Sequence, residues 1–270
     1  IIDISGSTDE NGNPVPTLSH DPSKDIEFLD FELDMWYYQI LNKGWGKFSR
    51  QVHHENLNIK KALATQLSGL KVTEDDVEKS MKKLGLNHDP ETWTEHNLKD
   101  LARELRKIKP MIIAANKLDV DGSLFEFEKM KKKFPDYMII GCSAEIELAL
   151  KEAAKNKLIE YVPGDNNFKI TGDLIESQKK GMKFIEEYLK KYKNTGVQEI
   201  LNKIIFDMLK YIAIYPGGVN KLEDSQGRTL PDCFLMPENS TALDFAYRLH
   251  TDFGDNFIKA IDVKNKRAVG

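Results

Sequence analysis

Met111-Ile112-Ile113-Ala114-Ala115-Asn116-Lys117-Leu118-Asp119 is the stretch on which the fold turns. Five apolar residues in succession give way at once to a polar tetrapeptide. A run of strand length that is apolar on both faces suits a strand covered from both sides. Met138-Ile139-Ile140-Gly141-Cys142 repeats the pattern, after a helical stretch from about Ser123 to Lys133. Strands of this kind alternating with helices signal a parallel sheet of the α/β class. Ligands of open parallel sheets bind outside the carboxyl ends of the strands. Asn116-Lys117-Leu118-Asp119 follows one such end and Ser143-Ala144 follows the next, so two consecutive strand ends present polar groups on the same side.

Upstream, the period is that of helices. Asp21-Pro22 offers an N-cap and a first-turn proline. Ile26, Leu29, Leu33, Trp36, Tyr37 and Ile40 follow at helical spacing, the pattern of an amphipathic helix of about four or five turns. Ile59, Leu63, Leu67 and Leu70 form a second stripe. Val77, Met81 and Leu84 form a third, behind a capping-box pair of Thr73 and Asp76. Leu98, Leu101, Leu105 and Ile108 form the last, ended by Pro110. Residues 22–109 thus read as an all-helical block set into an α/β sheet. Before it, Ile1-Ile2-Asp3-Ile4 reads as a short buried strand leading into a polar loop.

Downstream, helices are expected over about Leu174–Lys193 and Val197–Lys210, separated at Asn194-Thr195-Gly196. The C-terminal segment has another texture, with strand-like Tyr211–Tyr215 and Cys233–Met236 and a helix near Leu243–His250.

Composition sets outer limits. Among 270 residues, Lys and Arg number 39 and Asp and Glu 43, a net charge of -4, which argues against a surface that is wholly a nucleic-acid footprint. Two cysteines, Cys142 and Cys233, cannot build a disulfide framework or a Cys-rich zinc site, so a reducing compartment is the default. No apolar run approaches the roughly 20 residues of a membrane span. His53-His54 lacks a third ligand at metal spacing and reads as a surface pair. Lys129–Lys133 and Lys190–Lys193 are basic clusters that suit either RNA phosphates or, more commonly, solvated helix faces. Cys142 reads as a small buried residue and His250 as a polar turn residue.

The tetrapeptide matches guanine for physical reasons. The Asp119 carboxylate offers two acceptors to the N1–H and 2-amino donors on one edge of that base. Adenine has an acceptor at N1 and no 2-amino group, and would leave the carboxylate unpaired; sites built this way discriminate by roughly 10⁴-fold or more. Lys117 can lay its methylene stem over the purine while its ammonium stays hydrated. Asn116 can bridge the base and neighbouring loops. The Ala144 N–H can donate to the 6-oxo group, and Ser143 can brace Asp119.

Asn116-Lys117-Leu118-Asp119 and Ser143-Ala144 resemble the two base-recognition motifs of P-loop GTPases. Thr241-Ala242-Leu243-Asp244-Phe245-Ala246-Tyr247-Arg248-Leu249-His250-Thr251-Asp252-Phe253-Gly254-Asp255 resembles a TGS domain, a small β-grasp module. With Ile2–Asp9 and the Asp25–Trp36 helix, nearly the whole chain is similar to Obg-superfamily GTPases of the archaeal YchF-related branch. The resemblance implies GTP as ligand, Mg²⁺ beside its phosphates, hydrolysis by the intact protein, a cytoplasmic setting, and the ribosome or RNA as partner. No Gly-x-x-x-x-Gly-Lys-Ser/Thr phosphate loop occurs in the sequence. Ile1–Ile4 is accordingly expected to be a middle strand of the family's sheet. Residues 1–210 would form the base-reading part of a GTP-binding domain, and 211–270 a TGS-like domain cut short at Gly270. The phosphate and Mg²⁺ ligands would lie before Ile1, so no catalytic residue is assigned. The competing expectation is a non-catalytic RNA or ribosome adaptor built on the helical block and the TGS module. A further departure concerns the base: YchF proteins depart from Asn-Lys-x-Asp and favour ATP, whereas Asp119 favours GTP.

Overall fold

The computed structural model describes residues 1–217, 222–223, 226–229 and 232–269. Two compact units divide at Gly196 and Val197.

In the first unit, β1 (Ile2–Asp3) is followed by the helical block: α1 (Ser23–Asn42), α2 (Trp45–His54), α3 (Ile59–Gln66), α4 (Glu74–Leu84) and α5 (Glu95–Lys107). The chain then alternates through β2 (Ile112–Asn116), α6 (Ser123–Lys133), β3 (Met138–Gly141) and α7 (Ala144–Lys155). A two-stranded antiparallel pair, β4 (Ile159–Glu160) and β5 (Lys169–Ile170), precedes α8 (Glu176–Tyr192).

The sheet is parallel in the order β1-β2-β3. β2 is central because its residues are apolar on both faces: Ile113, Ala114 and Ala115 are buried. Its register sets Ile2 beside Ala115 and Asp3 beside Asn116, while Ala115 pairs on the other side with Gly141. All three strands therefore end at one level, where the polar motifs begin. Ile4, Ile26, Met130 and Ile139 complete this core.

The helical block has a separate core of Tyr37, Leu41, Leu63, Val77, Leu101 and Leu105. Each fully buried aliphatic side chain there contributes about 1.5–3 kcal/mol. The Thr73–Asp76 capping box is present, and Thr94 with Asn97 forms another at the start of α5. Asp34 on α1 accepts from both Arg103 (3.0 Å) and Arg106 (2.9 Å) on α5, so the first and last helices of the block are tied side by side. Arg106 also donates to the Tyr137 hydroxyl (3.2 Å), just before β3, which joins the block to the sheet.

Three sequence expectations need correction. Leu29 and Trp36 are 41% and 49% exposed, because α1 buries a narrow seam through Ile26, Tyr37 and Leu41. The sequence expectations lack the helix α7 and the β4–β5 pair. The helix expected over Val197–Lys210 is α-helical only over Val197–Asn202 and continues as a π-helical turn, Lys203–Met208.

The second unit contains that helical segment (α9, Val197–Asn202) and an antiparallel pair, β6 (Tyr211–Ile214) with β7 (Phe234–Pro237). Then come α10 (Ala242–Leu249), α11 (Thr251–Asp255) and a hairpin of β8 (Ala260–Asp262) with β9 (Arg267–Val269). Thr241 and Asp244 form a capping box on α10, and the edge of Phe245 meets Phe234. His250 is a turn residue as expected: its Nδ1 accepts from the Asp252 N–H and caps α11. Among the described residues, no helix is long and apolar enough to cross a membrane.

Candidate functional site

The ends of the three parallel strands form one polar surface. At β1, Asp3 is the hub. Its Oδ1 accepts from the Ser5 backbone (3.0 Å) and hydroxyl (2.6 Å). Its Oδ2 accepts from Ser7 (2.8 Å), Thr8 (2.8 Å) and the Lys117 ammonium (2.8 Å). Burial alone would raise the Asp3 carboxyl pKa, but the donors, led by Lys117, outweigh it and hold the group well below the usual carboxylate range.

The sign of the stability effect follows. A carboxylate depressed in the folded state stabilises the fold fully above its unfolded pKa, about 4, and loses that contribution as pH falls through the lower folded value. Asp3→Asn is therefore expected to destabilise the protein by about 1–2 kcal/mol at pH 7. The difference from the wild type should shrink as both are acidified. Urea unfolding at a series of pH values measures both effects, and a difference that grows towards low pH would contradict the assignment.

At β2, Lys117 has φ +68°, a left-handed conformation uncommon for a residue with a side chain. Its ammonium also donates to Ser7 (2.9 Å), yet the side chain remains 41% exposed. The ammonium, expected to be hydrated, is held by Asp3 and Ser7. Asn116 turns its Oδ1 towards the next strand end, where it accepts the Ala144 N–H at 2.9 Å and lies 3.8 Å from the Cys142 thiol. The Ala144 amide, expected to be free, is thus held by the first motif. Asp119 lines a cleft of about 200 Å³ with Leu124, Tyr188, Lys191 and Tyr192.

At β3, Ser143 is fully buried and its hydroxyl accepts from the Ile146 N–H, capping α7. It acts on the helix and not, as expected from the sequence, on Asp119. Burial, followed by the nearby Asp119 charge, pushes the Cys142 thiol up to about 11, consistent with an inert buried residue. The basic clusters are largely engaged with their own neighbourhood: Lys129 with Glu126, Lys131 with Glu128, Lys133 with Glu27, and Lys190 with Glu186. His53 remains half-exposed, with Nδ1 3.0 Å from Asp89 and Nε2 3.9 Å from Glu91 in a surface cluster of the three side chains.

Sequence reasoning missed Asp3, Ser7 and Thr8 as members of the site. The available signal was an acidic residue at a strand end followed by Ser-Gly-Ser-Thr.

Comparison with known proteins bears on this geometry directly. Residues 114–218 match the family model described as Obg-like GTPase YGR210-like, G4 motif-containing domain, and residues 225–269 match the TGS domain. The chain belongs to the Obg-like GTPase family. It is 47% identical over 274 aligned residues to an uncharacterized GTP-binding protein of Methanocaldococcus jannaschii, covering 100% of this chain and 68% of that protein. An uncharacterized GTP-binding protein of Schizosaccharomyces pombe is 26% identical over 257 residues, covering 90% of this chain and 61% of the relative. The crystal structure of a GTP-binding protein from Pyrococcus horikoshii OT3 superposes with a TM-score of 0.72 at 40% identity, covering 100% of this chain and 72% of that one.

Proposed function

We propose that this chain supplies the base-reading part of a guanine-nucleotide site. Asp119 accepts from the N1–H and 2-amino groups, Lys117 flanks the ring, and the Ala144 N–H donates to the 6-oxo group. Asn116 bridges the two motifs. The observation that carries this reading is the 2.9 Å hydrogen bond from Ala144 N–H to Asn116 Oδ1, which brings both motifs together at neighbouring strand ends. The Ala144 N–H that guanine would use is held by the Asn116 oxygen, which the base displaces on binding.

Asp3 does not fit a Mg²⁺ ligand, because both its oxygens already accept from protein donors, one of them a cation. The resemblance to Obg-superfamily GTPases further proposes Mg²⁺ beside the nucleotide's phosphates and hydrolysis by the intact protein. It also proposes a cytoplasmic protein whose helical block and TGS domain meet the ribosome or RNA.

Calorimetric titration of the intact protein with GTP and ATP tests the base assignment. A preference for GTP of at least about 100-fold is expected. Equal affinity for the two would remove Asp119 from the base contact.

A further inference from the structure

We infer that Thr195 and Glu147 are positioning residues for the Ala144 amide; the inference rests on the guanine reading above. Three hydrogen bonds form a closed ring behind that amide. The Ser143 N–H donates to the Thr195 carbonyl (2.9 Å), the Thr195 hydroxyl donates to Glu147 Oε2 (2.6 Å), and the Glu147 N–H donates to the Ser143 carbonyl (3.2 Å). The ring is sealed from solvent: Ser143 and Thr195 are 0% exposed and Glu147 is 4% exposed.

Its chemistry is directional. An apolar residue could fill the place of Glu147 without the cost of burying a carboxylate. What the carboxylate adds is an acceptor aimed at Thr195. Tyr161 donates to the same oxygen at 2.9 Å. Burial, then the hydrogen bond to Glu147, pushes the Tyr161 phenol up to about 12, so it stays a donor. The sole cation paired with this carboxylate among the described residues is Lys151, 3.7 Å away and half-exposed.

The ring fixes the peptide that carries the base-reading donor. Ser143 immediately precedes Ala144, and both its backbone groups are held, by Thr195 on one side and Glu147 on the other. A hydrogen bond to a 6-oxo group requires the Ala144 nitrogen to lie about 2.7–3.2 Å from that oxygen. Loss of the Thr195 hydroxyl frees the turn whose carbonyl sets this position.

The test measures binding of GTP and of 6-thioguanosine triphosphate to the intact protein and its variants. The analogue keeps the N1–H and 2-amino donors but presents sulfur, a weaker acceptor, at position 6. The wild type should prefer GTP. Thr195→Val should weaken GTP binding about tenfold and bring the two affinities close together, whereas Thr195→Ser should restore the preference. Melting temperatures accompany each measurement. An unchanged preference in Thr195→Val overturns the inference. If that variant does not fold, the shape-preserving Glu147→Gln carries the test, and an unchanged preference there has the same force. Asp119→Asn in the same series separates the two levels. If it switches the base while Thr195→Val leaves the preference intact, only the positioning role fails. If it leaves guanine preferred, the base-reading assignment itself fails.

Discussion

Asp119→Asn is expected to lower GTP affinity by about 100-fold or more and to make xanthosine triphosphate the better ligand. The substitution replaces one carboxylate oxygen by an amide that donates. Guanine then faces its 2-amino donor with another donor, whereas xanthine carries a 2-oxo acceptor at that place. The change is nearly isosteric, and Asp119 lies on the wall of an open cleft rather than in a core, so stability should shift little. Competition binding with GTP, xanthosine triphosphate and ATP on the intact protein decides the matter. Retained guanine preference would be incompatible with a direct contact.

The second large effect is expected at Gly196. Its φ is +81°, and a methyl group there would lie 2.1 Å from the Gly141 carbonyl oxygen and 2.7 Å from Cys142 Cβ. The clash is with backbone, which cannot rotate aside. Gly196→Ala should destabilise the protein by about 1 kcal/mol from the left-handed conformation, with about 1–3 kcal/mol more from overpacking. The turn can relieve the overlap only by moving off the end of β3, which breaks the Thr195–Ser143 hydrogen bond. Urea unfolding measures the loss of stability, and an unchanged midpoint would show that the turn does not press on the strand end.

These two positions mark how differently the site could be read from the sequence. The place of Asp119, just past a strand end, is legible because a strand-length apolar run, Met111–Ala115, stops at a polar tetrapeptide. The strands β2 and β3 are equally legible as strands, since both are continuous apolar runs of strand length. The sequence gives no sign that Asp3 meets Lys117, which lies beyond the entire helical block. No spacing rule links residues so far apart. Thr195 and Gly196 read as a break between helices, which they are; their hold on Ser143 exists only once α8 has returned the chain to the sheet.

The misses within the fold have local causes. Ser143-Ala144 closes an apolar strand run, and this masks the helix Ala144–Lys155 that the same serine caps. Strands of two residues, such as Ile159–Glu160 and Lys169–Ile170, have no periodicity to detect. Leu29 and Trp36 sit at helical spacing, yet one narrow seam of α1 supplies its buried contacts. A period therefore locates a helix more securely than it counts its buried faces.

The pairing of Ile2 with Ala115 spans the whole helical block, and this has a consequence for the order of assembly. An unstructured segment of that length would make closure of β1 onto β2 slow, because chain entropy must be given up before any contact rewards it. Here α1 and α5, clasped through Asp34, Arg103 and Arg106, bring the two ends of the segment together. The block can form from nearer contacts and then deliver Asp3 to Lys117 as a nearly finished step. The inserted bundle thereby acts as the scaffold on which the ends of β1 and β2 meet.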